Sequence, residues 1–362
     1  MTARTRGVTI TAASALLLAA AVLSGCAGED SAAADCDTVV QVPPDYSIPA
    51  CGDPHLAVFL PGTNNADLQS RIQYLEETIP KIEGATMTIF DGKFDATTQL
   101  NQIENAIQSG QYNAAIAAPV DGVLMCDALS KKAPAAGMLV VVPNLAICGL
   151  TAEEGEELAA PGTLAYVGGT QSPDYWTDYL TWIVEHHEGE PKFIALTDPP
   201  APFPLTANFQ EAVKRVHEKY PEFEIVGEAA TDLTVAGSFA EAQALIQAHP
   251  EATGLVTMFS TETEGALQAL QAAGAEGSLT VYDKGATGFA VDALMDGRIA
   301  ATSPERAITS TAAMLNAILD ARAGKDVSRF IGNDGAPIPD DAPASGFTVF
   351  TADTLGDFQP EN

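Results

Sequence analysis

Short apolar runs separated by helical ones repeat along most of this chain. That alternation restricts the fold more than any single residue does. Ten runs read as strands: Leu56–Leu60, Thr86–Phe90, Ala114–Ala118, Leu139–Val142, Leu164–Val167, Phe193–Leu196, Glu224–Gly227, Gly254–Met258, Leu279–Tyr282 and Ile299–Thr302. Helical spacing fills most of the gaps, as in Leu100, Ile103 and Ile107, in Trp176, Leu180, Ile183 and His187, and in Ile308, Ala312, Leu315 and Leu319. Strands alternating with helices pack as parallel sheets covered by helices. Ten strands exceed one comfortable sheet, and 362 residues suffice for two lobes. The expected fold class is therefore α/β, with two doubly wound parallel-sheet lobes.

Charge narrows the partners. The chain has 17 basic against 48 acidic residues, a net charge of −31. Such a field repels phosphate, so no nucleic-acid partner is expected. The acids are scattered rather than clustered, which fits a solvated surface better than a cation site. Hydrophobic residues make up 46% of the chain, enough for a sizeable core.

The first residues read as an address. Arg4 and Arg6 precede Val8–Leu23, 16 positions without charge. That run is shorter than the ~20 residues a spanning helix needs, so it reads as an export signal. It ends in Leu23-Ser24-Gly25-Cys26. This resembles a bacterial lipobox, which implies residues 1–25 as signal peptide and Cys26 as the lipidated first residue. Four cysteines remain: Cys36, Cys51, Cys126 and Cys148. An even number in an exported chain suggests disulfides. Four cysteines allow three pairings, and nearness in sequence favours Cys36–Cys51 with Cys126–Cys148. Zinc has no CxxC or His-x-x-x-His spacing to support it. Residues 26–53, rich in Ala, Asp and Pro, read as a tether.

In parallel sheets, ligands sit beyond the carboxyl ends of the strands. The residues there are Gly62-Thr63-Asn64-Asn65, Asp91, Pro119-Val120-Asp121, Asn144, Gly169-Thr170, Thr197-Asp198, Phe259-Ser260-Thr261, Asp283 and Ser303-Pro304-Glu305. Neutral donors and carboxylate acceptors of this kind suit a polyhydroxylated or amide-bearing small molecule. Any single Asp or Asn after a strand is more often a turn former or helix cap, so the set carries the inference.

"VFLPGTNNADL", "FDGKFDATTQLNQIENAI", "AAIAAPVDG", "AGMLVVVPN", "FQEAVKRVHEKYPEFEIVGE", "ALIQAHPEATGLVTMFSTETEGALQALQAAG" and "LTVYDKGATGFAVDALMDGRIAATSPE" follow one another along the chain. In content and order they resemble the type I periplasmic sugar-binding proteins of ABC transporters, the ribose and galactose group. The likeness runs from about His55 to Val327. It implies two lobes joined by a hinge, with lobe 1 in 54–168 plus about 306–335 and lobe 2 in about 169–305 plus 336–352. It also implies a cleft that closes on ligand and is then read by permease subunits.

By the resemblance, Asn64 or Asn65, Asp121, Asn144 and Asp283 fall on sugar-contact positions. Phe203 or Leu205 falls where relatives carry an arginine, Phe259-Ser260 where they carry Asn-Asp, and Glu305 where Gln is common. The ligand set is thus Asn64, Asn65, Asp121, Asn144, Phe203, Phe259, Ser260, Asp283 and Glu305. Loss of the arginine counts against a simple pentose or hexose in the usual pose, and with one more carboxylate it suits a neutral or cationic ligand such as an amine or amino-sugar; the expected ligand is a sugar, polyol, amino-sugar or amine. Among aromatics, Phe203 and Phe259 follow strands and are better stacking candidates than Phe59, Phe90, Phe94 or Trp176.

The expected function is a lipid-anchored solute-binding protein on the extracellular face of the cytoplasmic membrane. A monomer without cofactor or metal is expected, touching the membrane through the lipid only. A sensor lipoprotein is the alternative, and an exported enzyme a more distant one. No G-x-S-x-G, H-E-x-x-H or G-x-x-x-x-G-K-[ST] motif is present, and the adjacent His186 and His187 diverge by about 100° on a helix, too far to share a metal.

Overall fold

The computed structural model describes residues 38–198, 205–332 and 347–361. They fall in one compact unit, Cys36–Asn362. The chain begins with a hairpin, β1 (Val39–Val42) and β2 (Tyr46–Pro49). Then follow β3 (His55–Leu60), α1 (Ala66–Thr78), β4 (Thr86–Asp91), α2 (Ala96–Ser109) and β5 (Ala114–Ala117). After them come α3 (Ala133–Ala135), β6 (Leu139–Pro143) and β7 (Ala165–Gly168). The chain then crosses to α4 (Pro173–His186), β8 (Lys192–Thr197), α5 (Leu205–Lys219), β9 (Glu224–Ala230) and α6 (Val235–Ala248). It continues through β10 (Gly254–Thr257), α7 (Ser260–Ala273), β11 (Thr280–Gly285), α8 (Gly288–Met295) and β12 (Ala301–Pro304). It returns in α9 (Ala307–Arg322) and β13 (Phe330–Gly332).

Two parallel sheets result. One has six strands in the order β13-β7-β6-β5-β3-β4, the other five in the order β12-β11-β10-β8-β9. All ten expected strands are present, and the fold class is the expected α/β with two parallel sheets.

Both sheets are buried on both faces, which is why their strands read as nearly continuous apolar runs. On the first sheet Leu56, Val58, Ile116, Leu139 and Val141 face a core shared with α1 and α9. The alternate residues Ala57, Phe59, Ala115, Val140 and Val142 face the opposite core beside α2. On the second sheet Phe193 and Ala195 pack toward Trp176 and Tyr179 of α4 and Phe209 of α5. Ile194 and Leu196 pack toward Ala242 of α6, Ala266 of α7 and Ala290 of α8. This period of two in the strands is what makes each register definite.

The stretch expected as tether departs from that reading. From Val39 it pairs as a hairpin, with Val39 opposite Pro49 and Val42 opposite Tyr46. Val42 and Ile48 are buried in the core beside α9. A four-residue strand broken by Pro43-Pro44 shows no periodicity long enough to read from sequence. The short β13 is a third strand that the sequence does not announce, after β1 and β2; it pairs in parallel with β7 through Phe330 and Tyr166.

The Cys126–Cys148 disulfide is formed, with Cα atoms 4.7 Å apart. Cys51 is also disulfide-bonded. Cys26 and Cys36 lie outside the described residues. Among the described residues no helix is long and apolar enough to cross a membrane.

Candidate functional site

Each sheet contains a point where successive connections diverge, and such points open a crevice at the carboxyl ends of the strands. In the first sheet β3 is flanked by β4 and β5, so the crevice lies between the loops after β3 and β5. In the second, β8 is flanked by β9 and β10, so the crevice lies between the loops after β8 and β10.

The first crevice is edged by Asn64, Asn65 and Asp121. Asn65 caps α1, its side-chain oxygen accepting from the Leu68 N–H at 2.9 Å. Asn64 is exposed beside it. Asp121 accepts from the N–H groups of Val123 and Leu124, both at 2.9 Å, through the same oxygen. Asp91, at the end of β4, accepts from Thr63 Oγ1 at 3.2 Å and the Lys93 N–H at 2.9 Å. Lys93 and Phe94 both adopt positive φ, 53° and 54°. Two successive non-glycine residues in that region are costly and cluster at functional sites. Their turn lays the Phe94 ring over Gly62, where a Cβ would come within 2.1 Å of the ring. Phe94 is 38% exposed. It is therefore the aromatic that lobe 1 presents at the crevice, whereas Phe59 and Phe90 stack on each other inside.

The second crevice is built from buried charge. Asp198, Lys284 and Glu305 are only 1%, 1% and 6% exposed. Lys284 Nζ donates to Glu305 Oε2 at 2.8 Å. It also lies 5.1 Å from the centre of the Phe259 ring and 5.8 Å from that of Tyr175. Thr170, on the crossing between lobes, donates to the same carboxylate at 3.2 Å. Lys284 is thus a buried cationic side chain in β11 that the sequence reading did not single out. Sequence reading missed it because Asp283 beside it drew the attention. Adjacent strand residues point to opposite faces, so only one of the two faces this group.

Asp283 and Ser260 have other work. Asp283 accepts from Thr263, from Thr302 at 2.5 Å, from Ser260 at 3.1 Å and from the Ala286 N–H at 3.2 Å. These bonds tie the ends of β11 and β12 to α7. Burial pushes the Asp283 carboxyl above its usual range, and those hydrogen bonds pull it back. Glu262, in the first turn of α7, reaches back to the N–H groups of Met258 and Phe259 at 2.8 and 3.3 Å. Burial pushes it up to about 7.

Asn144 directly follows β6 with φ 62°. Its carbonyl oxygen accepts from the Tyr166 hydroxyl. Its side-chain oxygen is buried without a partner and borders a void of about 10 Å³, together with Gln171 and Asn208. That space is roughly one water's worth. Asn208 Nδ2 donates across the lobes to the Thr151 carbonyl at 3.3 Å and to that of Gln171 at 2.9 Å.

Phe203 lies outside the described residues. A wider concavity of 660 Å³ is lined by Leu267, Leu279, Phe289 and Arg298. It sits at the amino ends of β11 and β12, the opposite end from the polar crevice. His186 and His187 part company as their spacing predicts. His186 bonds the Trp182 carbonyl, and His187 lies between Tyr282 and Thr253.

The periplasmic binding protein domain family matches residues 56–326. No curated protein sequence matches the chain. Among solved structures, an ABC transporter solute-binding protein from Bacillus halodurans with bound myo-inositol superposes with a TM-score of 0.67 at 19% identity, covering 84% of this chain and 96% of that one. One from Actinobacillus succinogenes with bound D-allose gives 0.66 at 16% identity, covering 84% and 100%. A periplasmic ribose ABC transporter protein from Conexibacter woesei gives 0.64 at 17% identity, covering 84% and 94%. With two doubly wound lobes, paired crevices and a family match over most of its length, the chain belongs to the periplasmic binding protein family, whose members bind solutes rather than catalyse reactions.

Proposed function

We propose that this protein takes a sugar or polyol between its lobes and delivers it to an ABC-type importer by closing on it. The observation that carries this reading is the pair of polar crevices at the diverging strands, Asn64 and Asp121 in one lobe and Asp198, Phe259 and Lys284 in the other. Ring faces at Phe94 and Phe259 suit the apolar faces of a sugar, and the carboxylates and amides suit its hydroxyls. The ligands of the structurally similar proteins supply the class. Closure follows as a population shift toward the form that makes both sets of contacts.

The address is part of the same proposal. Cys26 would carry lipid, holding the protein on the outer face of the cytoplasmic membrane beside its permease. Replacing Cys26 by Ser should release the protein from the membrane fraction.

A thermal-shift screen over sugars and polyols, neutral and amino-substituted, tests the ligand class. A ligand at 100 times its Kd should stabilise by about 2.7 kcal/mol. If no sugar or polyol moves the melting temperature at millimolar concentration, the assignment fails.

A further inference from the structure

Asp198 is the one buried carboxylate of the second crevice that has no partner. Both of its oxygens are buried and accept no hydrogen bond. Every neighbouring group is otherwise engaged. Glu262 is held by Thr231 and two backbone N–H groups. Lys284 is held by Glu305. Asp283 is held by three hydroxyls and an N–H. The backbone carbonyl of Asp198 itself accepts from Thr206 at 2.9 Å, which fixes its place at the end of β8.

Burial pushes the Asp198 carboxyl well above its usual range, because an ionised carboxylate left unpaired in the interior is costly, and a cationic partner would relieve that cost. Its electrostatic neighbours are Glu262, which repels its charge, and Lys284, which attracts it. Among the described residues around the crevice, the buried carboxyls Asp198, Glu262 and Glu305 outnumber one buried ammonium, Lys284, which Glu305 already holds. The residues after Asp198, Pro199 to Pro204, carry no basic side chain. On the opposing lobe Asp91 and Asp121 add negative charge, with the exposed Lys93 beside them. A neutral hydroxyl would supply a donor to Asp198 and leave the charge excess. A protonated amine supplies both the donor and the charge.

We infer that Asp198 receives a protonated amine of the ligand, so that the solute is an amino-sugar or amino-polyol rather than a neutral sugar. This rests on the proposed sugar-binding function and narrows it. The amine would sit at the end of β8, against the Asp198 carboxyl. The Phe259 ring, already beneath the Lys284 ammonium, would border the carbon skeleton.

The test compares matched pairs by isothermal titration: glucosamine with glucose, galactosamine with galactose, and an amino-inositol with myo-inositol. In at least one pair the amine should bind at least ~10-fold tighter, the scale of one charge-assisted hydrogen bond. Asp198→Asn should reduce that preference to near parity, since the amide keeps the shape and one acceptor but carries no charge for the amine to meet. The same substitution removes a buried carboxyl with no partner, so the ligand-free variant should melt at or above the parent temperature. A variant that melts well below the parent assigns Asp198 a structural role and overturns the inference. Neutral sugars that bind as tightly as their amines overturn the inference and leave the sugar-binding function standing. An amine preference that survives Asp198→Asn overturns the assignment to Asp198. Failure of both series to bind overturns the inference and the proposed function together.

Discussion

Neighbouring residues of β11 divide the labour of holding lobe 2 and facing its crevice. Asp283 is completely buried and surrounded by donors from α7 and β12, so its role is to knit strand ends together. Lys284 points the other way and joins Glu305 and two aromatic rings. Sequence reading places Asp283 in the site because a carboxylate follows the strand, but the pleat sends it into the core. Asp283→Ala should therefore cost about 3 kcal/mol of stability, the scale of losing a buried charged acceptor with several bonds. Urea unfolding measures it, and a variant of parental stability with selectively weakened ligand binding would restore Asp283 to the ligand shell. Asn65 shows the same division in milder form. One side-chain oxygen caps α1, which leaves its amide nitrogen for the crevice.

At the scale of elements, two segments behave more rigidly than their composition suggests. The loops after β5 and β6 are bound by the Cys126–Cys148 disulfide and pack so closely that a Cβ on Gly122 would meet the Ala146 carbonyl at 2.4 Å. Replacing both cysteines by serine should cost about 3 kcal/mol in the chain-entropy model for a loop of this length. The denaturation midpoint in the oxidised and reduced protein measures it. The β1–β2 hairpin is the other segment. Ile48 is 1% exposed, so Ile48→Ala should cost about 2–4 kcal/mol. A true tether residue would tolerate the change, so a melting temperature equal to the parent's would show that the hairpin contributes nothing to the core.

At the scale of the whole molecule, carboxyls near the lobe boundary and inside lobe 2 set the response to pH. Glu154, in the connection after β6, shares a hydrogen bond with Asp174 at the start of α4. That contact, with burial adding to it, pushes Glu154 up to about 7, while Arg215 opposes. Arg215 itself bonds Asp174 at 2.6 Å. Glu262 is pushed up to about 7 by burial, and Asp198 and Asp283 are raised by the same cause. A carboxyl whose folded value is raised binds a proton more tightly when folded. Its stabilising contribution is complete below the unfolded value and fades as pH rises through the folded one. Stability should thus decline between about pH 4.5 and pH 7, and the melting temperature near pH 5.5 should exceed that near pH 8. Surface carboxylates such as Asp95, Asp127 and Asp232 are lowered by their hydrogen bonds, so their contributions are lost only at more acidic pH. Glu154→Gln should flatten part of the decline. A melting temperature that rises steadily from pH 5.5 to 8 would refute the assignment.

The sequence by itself determined ten of the strands, the α/β class with two parallel sheets and the strand ends where a site is expected. Apolar periodicity is a local consequence of burial on both faces, and it survives in the letters of each strand. Tertiary structure decided which side chains at those positions face the crevice. Asp283 and Ser260 bond each other, Lys284 joins the Phe259 ring, Phe94 lies over Gly62, and Asp198 is left with no partner of its own. Those outcomes depend on the pleat, on two residues of positive φ and on which donors the neighbouring helices bring. They are set by packing between segments far apart in the chain, which no local pattern records.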